Sequence, residues 1–211
     1  MAGTLQLANL FETPLILDVL PDAAALNAEL KTVIARRRDS DPGVRKSNWN
    51  GWQSEIDMLS WGGHAATRIA DHFVGLCNNF SWVSDPGAFV WSVDMWANVS
   101  TGGSSNEAHV HPGAVWSSVY YVEDGYGASS DSALGGELVL YDPRMPSVRM
   151  LPFDVRFRRP DGRPAESQTA IRPIAGQIVM FPPWLLHSVH PFHGQGERIS
   201  IAMNAIAIAQ R

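Results

Sequence analysis

The chain has 211 residues, 45% hydrophobic and 18% charged, with 16 basic and 21 acidic side chains giving a net charge of −5. That suffices for one substantial core, and an acidic balance with no basic stripe argues against a nucleic-acid partner. A single cysteine, Cys77, excludes a disulfide framework and any multi-cysteine metal site.

No apolar run approaches the roughly 20 residues of a membrane span. The first residues, MAGTLQLANLFETP, lack the basic and long apolar regions of a signal peptide, so a cytoplasmic chain with no membrane partner is expected. Asp22 is placed to cap a first helix, along which Leu26, Leu30, Val33 and Ile34 recur at helical spacing up to Arg36–Arg38. Ser47–Trp61 is too polar and turn-rich for a regular element. A second helix follows Gly62-Gly63, with Ile69, Ala70, Phe73, Val74 and Cys77 on one buried face, where a packed thiol is inert.

From Gly87 onward the texture is that of short strands separated by Gly, Pro, Asp and Ser turns. The predicted strands are Phe89–Val99, Ala108–His111, Trp116–Glu123, Glu137–Asp142, Thr169–Ile174, Gln177–Phe181, Ser188–Pro191 and Arg198–Ile208. They imply a single mainly β domain over 1–211: a sandwich, jelly roll or barrel at 87–211, with residues 1–86 as a helical support on one sheet. Ser147–Ser167, with Pro152, Pro160 and Pro164, reads as a long hairpin excursion whose arginines (Arg156, Arg158, Arg159, Arg163) are solvated. Of the tryptophans, Trp82 and Trp91 are assigned to the core, and Trp49, Trp52, Trp96, Trp116 and Trp184 to a pocket rim.

The chemistry concentrates on histidine. In His109-Val110-His111, residues two apart on a strand share a face, so both imidazoles can reach one metal ion. Imidazole suits iron, zinc, copper or nickel. In IRPIAGQIVMFPPWLLHSVHP, His187 opens a strand after a Pro-Pro-Trp corner and can return beside the pair as a third ligand. His190 falls out of phase with it, and His193 sits in a turn. Glu107 shares the alternation of His109 and His111 and is the competing ligand to His111. On the last strand Arg198 and Ser200 share a face, and a buried arginine needs a carboxylate: Glu137 or Glu197 if structural, a ligand if functional. Gly135-Gly136 reads as a turn, and Arg144, Asn98 and Asn106 are further candidate contacts.

The stretches MWANVS, HVHPGAVWSSVYYV, GGELVLYDPR, FPPWLLH and RISIAMN, with LFETP and GWQSEIDML, resemble the 2-oxoglutarate/Fe(II)-dependent oxygenases, in particular a small prolyl-hydroxylase-like bacterial and phage branch. The resemblance covers most of Leu10–Ala205. It implies a double-stranded β-helix (jelly roll) that holds Fe(II) and uses 2-oxoglutarate as co-substrate, hydroxylating a C–H bond with release of succinate and CO2. It further implies that His109, His111 and His187 bind the metal, His111 standing where most of the superfamily has a carboxylate. Arg198, Ser200 and Tyr121, with Tyr120 as the alternative, would hold 2-oxoglutarate. The substrate would be a small molecule or a peptide or protein side chain. Two other readings compete: a cupin-type three-His dioxygenase without 2-oxoglutarate, and a non-catalytic jelly-roll binding module.

Overall fold

A computed structural model describes residues 10–144, 155–159 and 161–210. The chain enters through β1 (Ile16–Val19) and then forms α1 (Ala23–Ser40), which buries Leu26, Leu30 and Ile34. Asp22 holds the N-cap position without a capping bond; its carboxylate instead lies 3.8 Å from Arg68. Ser47–Trp61 is more regular than its composition predicts. It contains β2 (Asn48–Trp49), β3 (Trp52–Gln53) and a single helical turn, α2 (Met58–Trp61). The correction has a local cause: Asn50 adopts a left-handed φ of 54°, and the Asn48 amide donates to the carbonyls of Val44 and Gly51. Side-chain bonds hold a turn that hydrophobic periodicity cannot reveal. The long helix α3 (Gly63–Phe80) follows, with Ile69, Phe73, Leu76 and Cys77 on its buried face. Cys77 is fully buried, and desolvation pushes its thiol up to about 12, so it packs and does not react.

The eight strands expected after Gly87 appear as β4 (Phe89–Ser100), β5 (Ser105–His109), β6 (Trp116–Glu123), β7 (Leu138–Tyr141), β8 (Gln168–Ile171), β9 (Gln177–Phe181), β10 (His187–Val189) and β11 (Arg198–Ala209). They form two antiparallel sheets. One has the order β1-β9-β6-β11-β4-β3 and the other β2-β5-β10-β7-β8, a mainly β jelly-roll architecture. The helices α1 and α3 cover the outer face of the six-stranded sheet. There Tyr120, Ile178, Met180, Ile201 and Met203 pack against Leu30, Ile69 and Phe73. The opposite face turns Tyr121, Val179 and Phe181 toward the second sheet. Alternation along β6 thus sends Tyr120 and Tyr121 to different layers, and Tyr120 donates its hydroxyl to Asn27 Oδ1 of α1 at 2.7 Å.

Residues before 87 contribute strands as well as helices. β1 extends one edge of the large sheet, while β2 joins β5 and β3 joins β4, so the Asn50-Gly51 turn passes from one sheet to the other. Trp82 is not in the core: α3 ends at Phe80, and Trp82 lies 89% exposed in the following connection, beyond the helix face that packs on the sheet. The predicted excursion Ser147–Ser167 is described only in part. Within that part Arg156 pairs with Glu166, and Arg159 and Arg163 each lie 3.8 Å from Asp161. These arginines are matched by local acids, as a solvated loop requires. Among the described residues no helix is long and apolar enough to cross a membrane.

Candidate active site

The space between the sheets holds a cavity of about 580 Å³, lined by His109, His111 and His187 together with Tyr121, Arg198 and Ser200. His109 and His187 stand opposite one another in the β5–β10 register, with their rings 4.4 Å apart. His111 reaches them differently from expectation. β5 ends at His109, and the chain turns so that the His111 N–H donates to the carbonyl of Pro183 at 2.9 Å, bringing His111 Nε2 to 3.2 Å from His187 Nε2. The Pro-Pro-Trp corner therefore anchors the second histidine as well as delivering the third.

The ligating atoms of the three histidines all lie within 4.8 Å of one another, a spacing that suits one metal ion. Two backbone carbonyls set the tautomers. Glu107 O accepts from His109 Nδ1 at 2.7 Å and Leu185 O accepts from His187 Nδ1 at 2.8 Å, which leaves both Nε2 lone pairs facing inward. Burial, reinforced by the neighbouring His109, lowers His111 to about 4 and His187 to about 3. Both are neutral at physiological pH, the form in which imidazole binds a metal.

Glu107 does not join the cluster. β5 carries a bulge: His187 pairs with His109 but Val189 pairs with Asn106, so Glu107 and Ala108 together oppose Ser188. The extra residue breaks the alternation by which Glu107 would share the face of His109. Its carboxylate instead accepts from Trp49 Nε1 at 2.6 Å, and Trp49 stacks under Arg45.

At the other end of the cavity Arg198 is 2% exposed. Neither candidate structural partner serves it, since Glu197 pairs with Arg38 at 2.8 Å and Glu137 with His190 at 3.4 Å. Its guanidinium lies over the Tyr121 ring at 5.1 Å, and both Arg198 Nε and the Tyr121 hydroxyl are buried without a hydrogen-bond partner. Desolvation raises the Tyr121 phenol, keeping it a donor. Ser200, 3% exposed, stands beside Tyr121 in the strand register. Gly135 and Gly136 shape this end. Both have left-handed φ, and a Cβ would fall 2.0 Å from Pro191 O at Gly135 and 3.0 Å from the Phe192 ring at Gly136. Only glycine lets the loop press against the Arg198 stem. A buried guanidinium whose Nε has no partner and a buried phenol donor, sharing a cavity with three imidazoles, fit a dicarboxylate that also chelates a metal.

Asn98, Asn106 and Trp96 line the cavity, whereas Arg144 is exposed and bonded to Asp142. The other proposed rim tryptophans lie elsewhere: Trp52 donates to Asp41 O, Trp116 to Ser81 Oγ, and Trp184 is half exposed. His193 is exposed, as its turn position predicts. The orienting carbonyls of Pro183, Leu185 and Glu107 carry no side-chain signal in the sequence.

A family model described as "Putative 2OG-Fe(II) oxygenase" matches residues 94–204. No curated protein matches the chain. Among solved structures, a prolyl-4-hydroxylase from Pseudomonas putida superposes with a TM-score of 0.62 at 17% identity, covering 92% of each chain. A prolyl hydroxylase from Trichoplax adhaerens, in complex with a hypoxia-inducible-factor oxygen degradation domain peptide, gives 0.60 at 13%, covering 90% of this chain and 83% of that one. HygX from Streptomyces hygroscopicus, with nickel, 2-oxoglutarate and hygromycin B bound, gives 0.57 at 12%, covering 92% and 82%. At these identities the structures establish the shared fold, and the matched segment, which spans every residue of the cavity's metal and arginine ends, establishes the family. The chain belongs to the 2OG-Fe(II) oxygenases, the non-haem iron oxidoreductases that use Fe(II) and 2-oxoglutarate.

Proposed function

We propose that His109, His111 and His187 are the iron ligands of this oxygenase, and that Arg198, Ser200 and Tyr121 receive the far carboxylate of 2-oxoglutarate. The observation that carries this reading is the Arg198 guanidinium, buried without a carboxylate partner among the described residues and facing the cavity of the imidazole cluster. When bound, Fe(II) and 2-oxoglutarate with O2 supply the oxidising power, the keto acid leaving as succinate and CO2 while a substrate C–H bond is hydroxylated. The chain's own residues bind and orient. The Glu107 and Leu185 carbonyls hold the His109 and His187 rings with Nε2 inward. Arg198 supplies fixed positive charge where Ser200 and Tyr121 add hydroxyls, and the apolar wall of Val119, Leu138 and Phe181 limits water around them. No side chain need act as a general base, and Glu107, held by Trp49, is not assigned one.

Arg198 also separates this reading from a co-substrate-free three-His dioxygenase or a binding module, neither of which gives the guanidinium a partner. The cavity volume suits a small molecule or one side chain of a peptide, and we take the substrate from that range. Anaerobic titration of metal-stripped protein with Fe(II) and then 2-oxoglutarate tests the assignment. A saturable visible iron-to-keto-acid charge-transfer band is expected; stoichiometric iron without a band would refute it.

A further inference from the structure

The inner face of the large sheet is graded along its strands. On β11 the cavity-facing residues run Arg198, Ser200, Ala202, Asn204. In register, Ser200 sits between Asn98 and Tyr121, Ala202 between Trp96 and Val119, and Asn204 between Asp94 and Ser117. The middle row is apolar, and its Trp96 ring lies 5.7 Å from the His111 ring. The imidazole cluster thus sits over an apolar row flanked by two polar ones. Four residues of strand place the Asn204 row roughly 13 Å beyond Ser200.

The Asn204 row is not self-satisfied. Ser117, 1% exposed, donates its hydroxyl to Asn204 Oδ1 at 2.7 Å, which fixes the amide and turns its N–H donors away from Ser117. On the other side of Asn204, Asp94 is half-buried and alternates onto the same face as Trp96 and Asn98, flanking the cavity-lining Asn204 and Ser117, and its carboxylate makes no ion pair or hydrogen bond among the described residues. A carboxylate and an oriented amide therefore stand together on the side of the histidines opposite Arg198, with no task in holding iron or 2-oxoglutarate.

We infer that Asp94 and Asn204, oriented by Ser117, form the recognition site for the prime substrate and select a cationic group, an amine or guanidine, next to the C–H bond that is oxidised. This rests on the active-site reading above. One end of the cavity is matched to an anion and the other is flanked by a carboxylate, so the two small molecules sort themselves to opposite sides of the metal.

The test uses full-length protein loaded anaerobically with Fe(II) and 2-oxoglutarate, with the charge-transfer band recorded first. Agmatine, butylamine and lysine amide are then titrated alongside 1-butanol and butyrate, following perturbation of the band. Saturable perturbation by the amines or agmatine is expected, with weaker or no response to the alcohol and acid. Asp94→Asn should form the same band and weaken amine binding about tenfold or more, and Asn204→Asp should not weaken it. A band that forms but responds to no cationic probe, a preference for butyrate, or unchanged amine binding in Asp94→Asn overturns this inference alone. Absence of the band overturns the active-site reading instead.

Discussion

Replacing Arg198 with methionine keeps an unbranched stem in the slot between the Tyr121 ring and Gly136 and removes the guanidinium. Two effects of opposite sign should follow. With 2-oxoglutarate bound, a desolvated charge pair is lost; removing one partner of such a pair costs about 2–5 kcal/mol, so co-substrate affinity should fall between about 30-fold and a few thousandfold. Without ligand, the guanidinium is 2% exposed with no carboxylate partner among the described residues, and its removal relieves a desolvation cost. The ligand-free variant should therefore melt at or a few degrees above the wild type, since about 1 kcal/mol moves the midpoint of a chain this long by about 2–4 °C. The assay is anaerobic titration of the Fe(II)-loaded variant with 2-oxoglutarate, beside thermal melts of the metal-free protein. A co-substrate affinity within threefold of wild type would refute the reasoning. So would a large drop in the melting point, which would mark Arg198 as a structural residue.

Three further outcomes follow from the site. His187→Ala should abolish tight iron binding, measured by metal content after dialysis, whereas Glu107→Gln should retain stoichiometric iron because that carboxylate is bonded to Trp49; loss of iron in the glutamine variant would make Glu107 a ligand. Tyr121→Phe should weaken 2-oxoglutarate binding by about three- to tenfold, while Tyr120→Phe should leave it unchanged and cost about 1 kcal/mol of stability through the lost bond to Asn27, read from urea midpoints. The metal-free protein should lose stability on acidification below about pH 6.5, where the unfolded chain protonates His111 and His187. The folded chain resists to about 4 and 3, so stability is full above that window and falls through it. Urea midpoints that do not change between pH 7.5 and 5 would contradict the burial assigned to these rings.

Much of this site is legible in sequence because its chemistry depends on residue types that few other tasks require. The spacing of His109 and His111, and an arginine on a largely apolar strand with a serine two residues on, both announce themselves. Strand alternation alone does not account for the pair: it predicts convergence, yet His111 lies beyond β5 and is held by the Pro183 carbonyl. The same alternation misassigns Glu107, because a bulge is a matter of pairing between distant strands and leaves no local trace. Asn48 and Asn50 organise β2 and β3 through backbone bonds in a stretch whose hydrophobic pattern is empty. Trp82 shows the converse, an apolar residue type in an exposed connection after α3.

The stretch around the Asn50-Gly51 turn touches both sheets and also supplies Val44, Lys46, Ser47, Gln53, Ser54, Glu55 and Ile56 to the cavity wall. One continuous stretch of chain, 44–56, thus contributes much of the cavity wall, while the imidazoles and Arg198 come from β5, β10 and β11 and their flanks. That wall and the chemistry are encoded in separate parts of the polypeptide. Exchanging that one cassette between relatives would change which molecules enter while leaving the oxidising centre intact, a route by which a single scaffold can diversify its substrates.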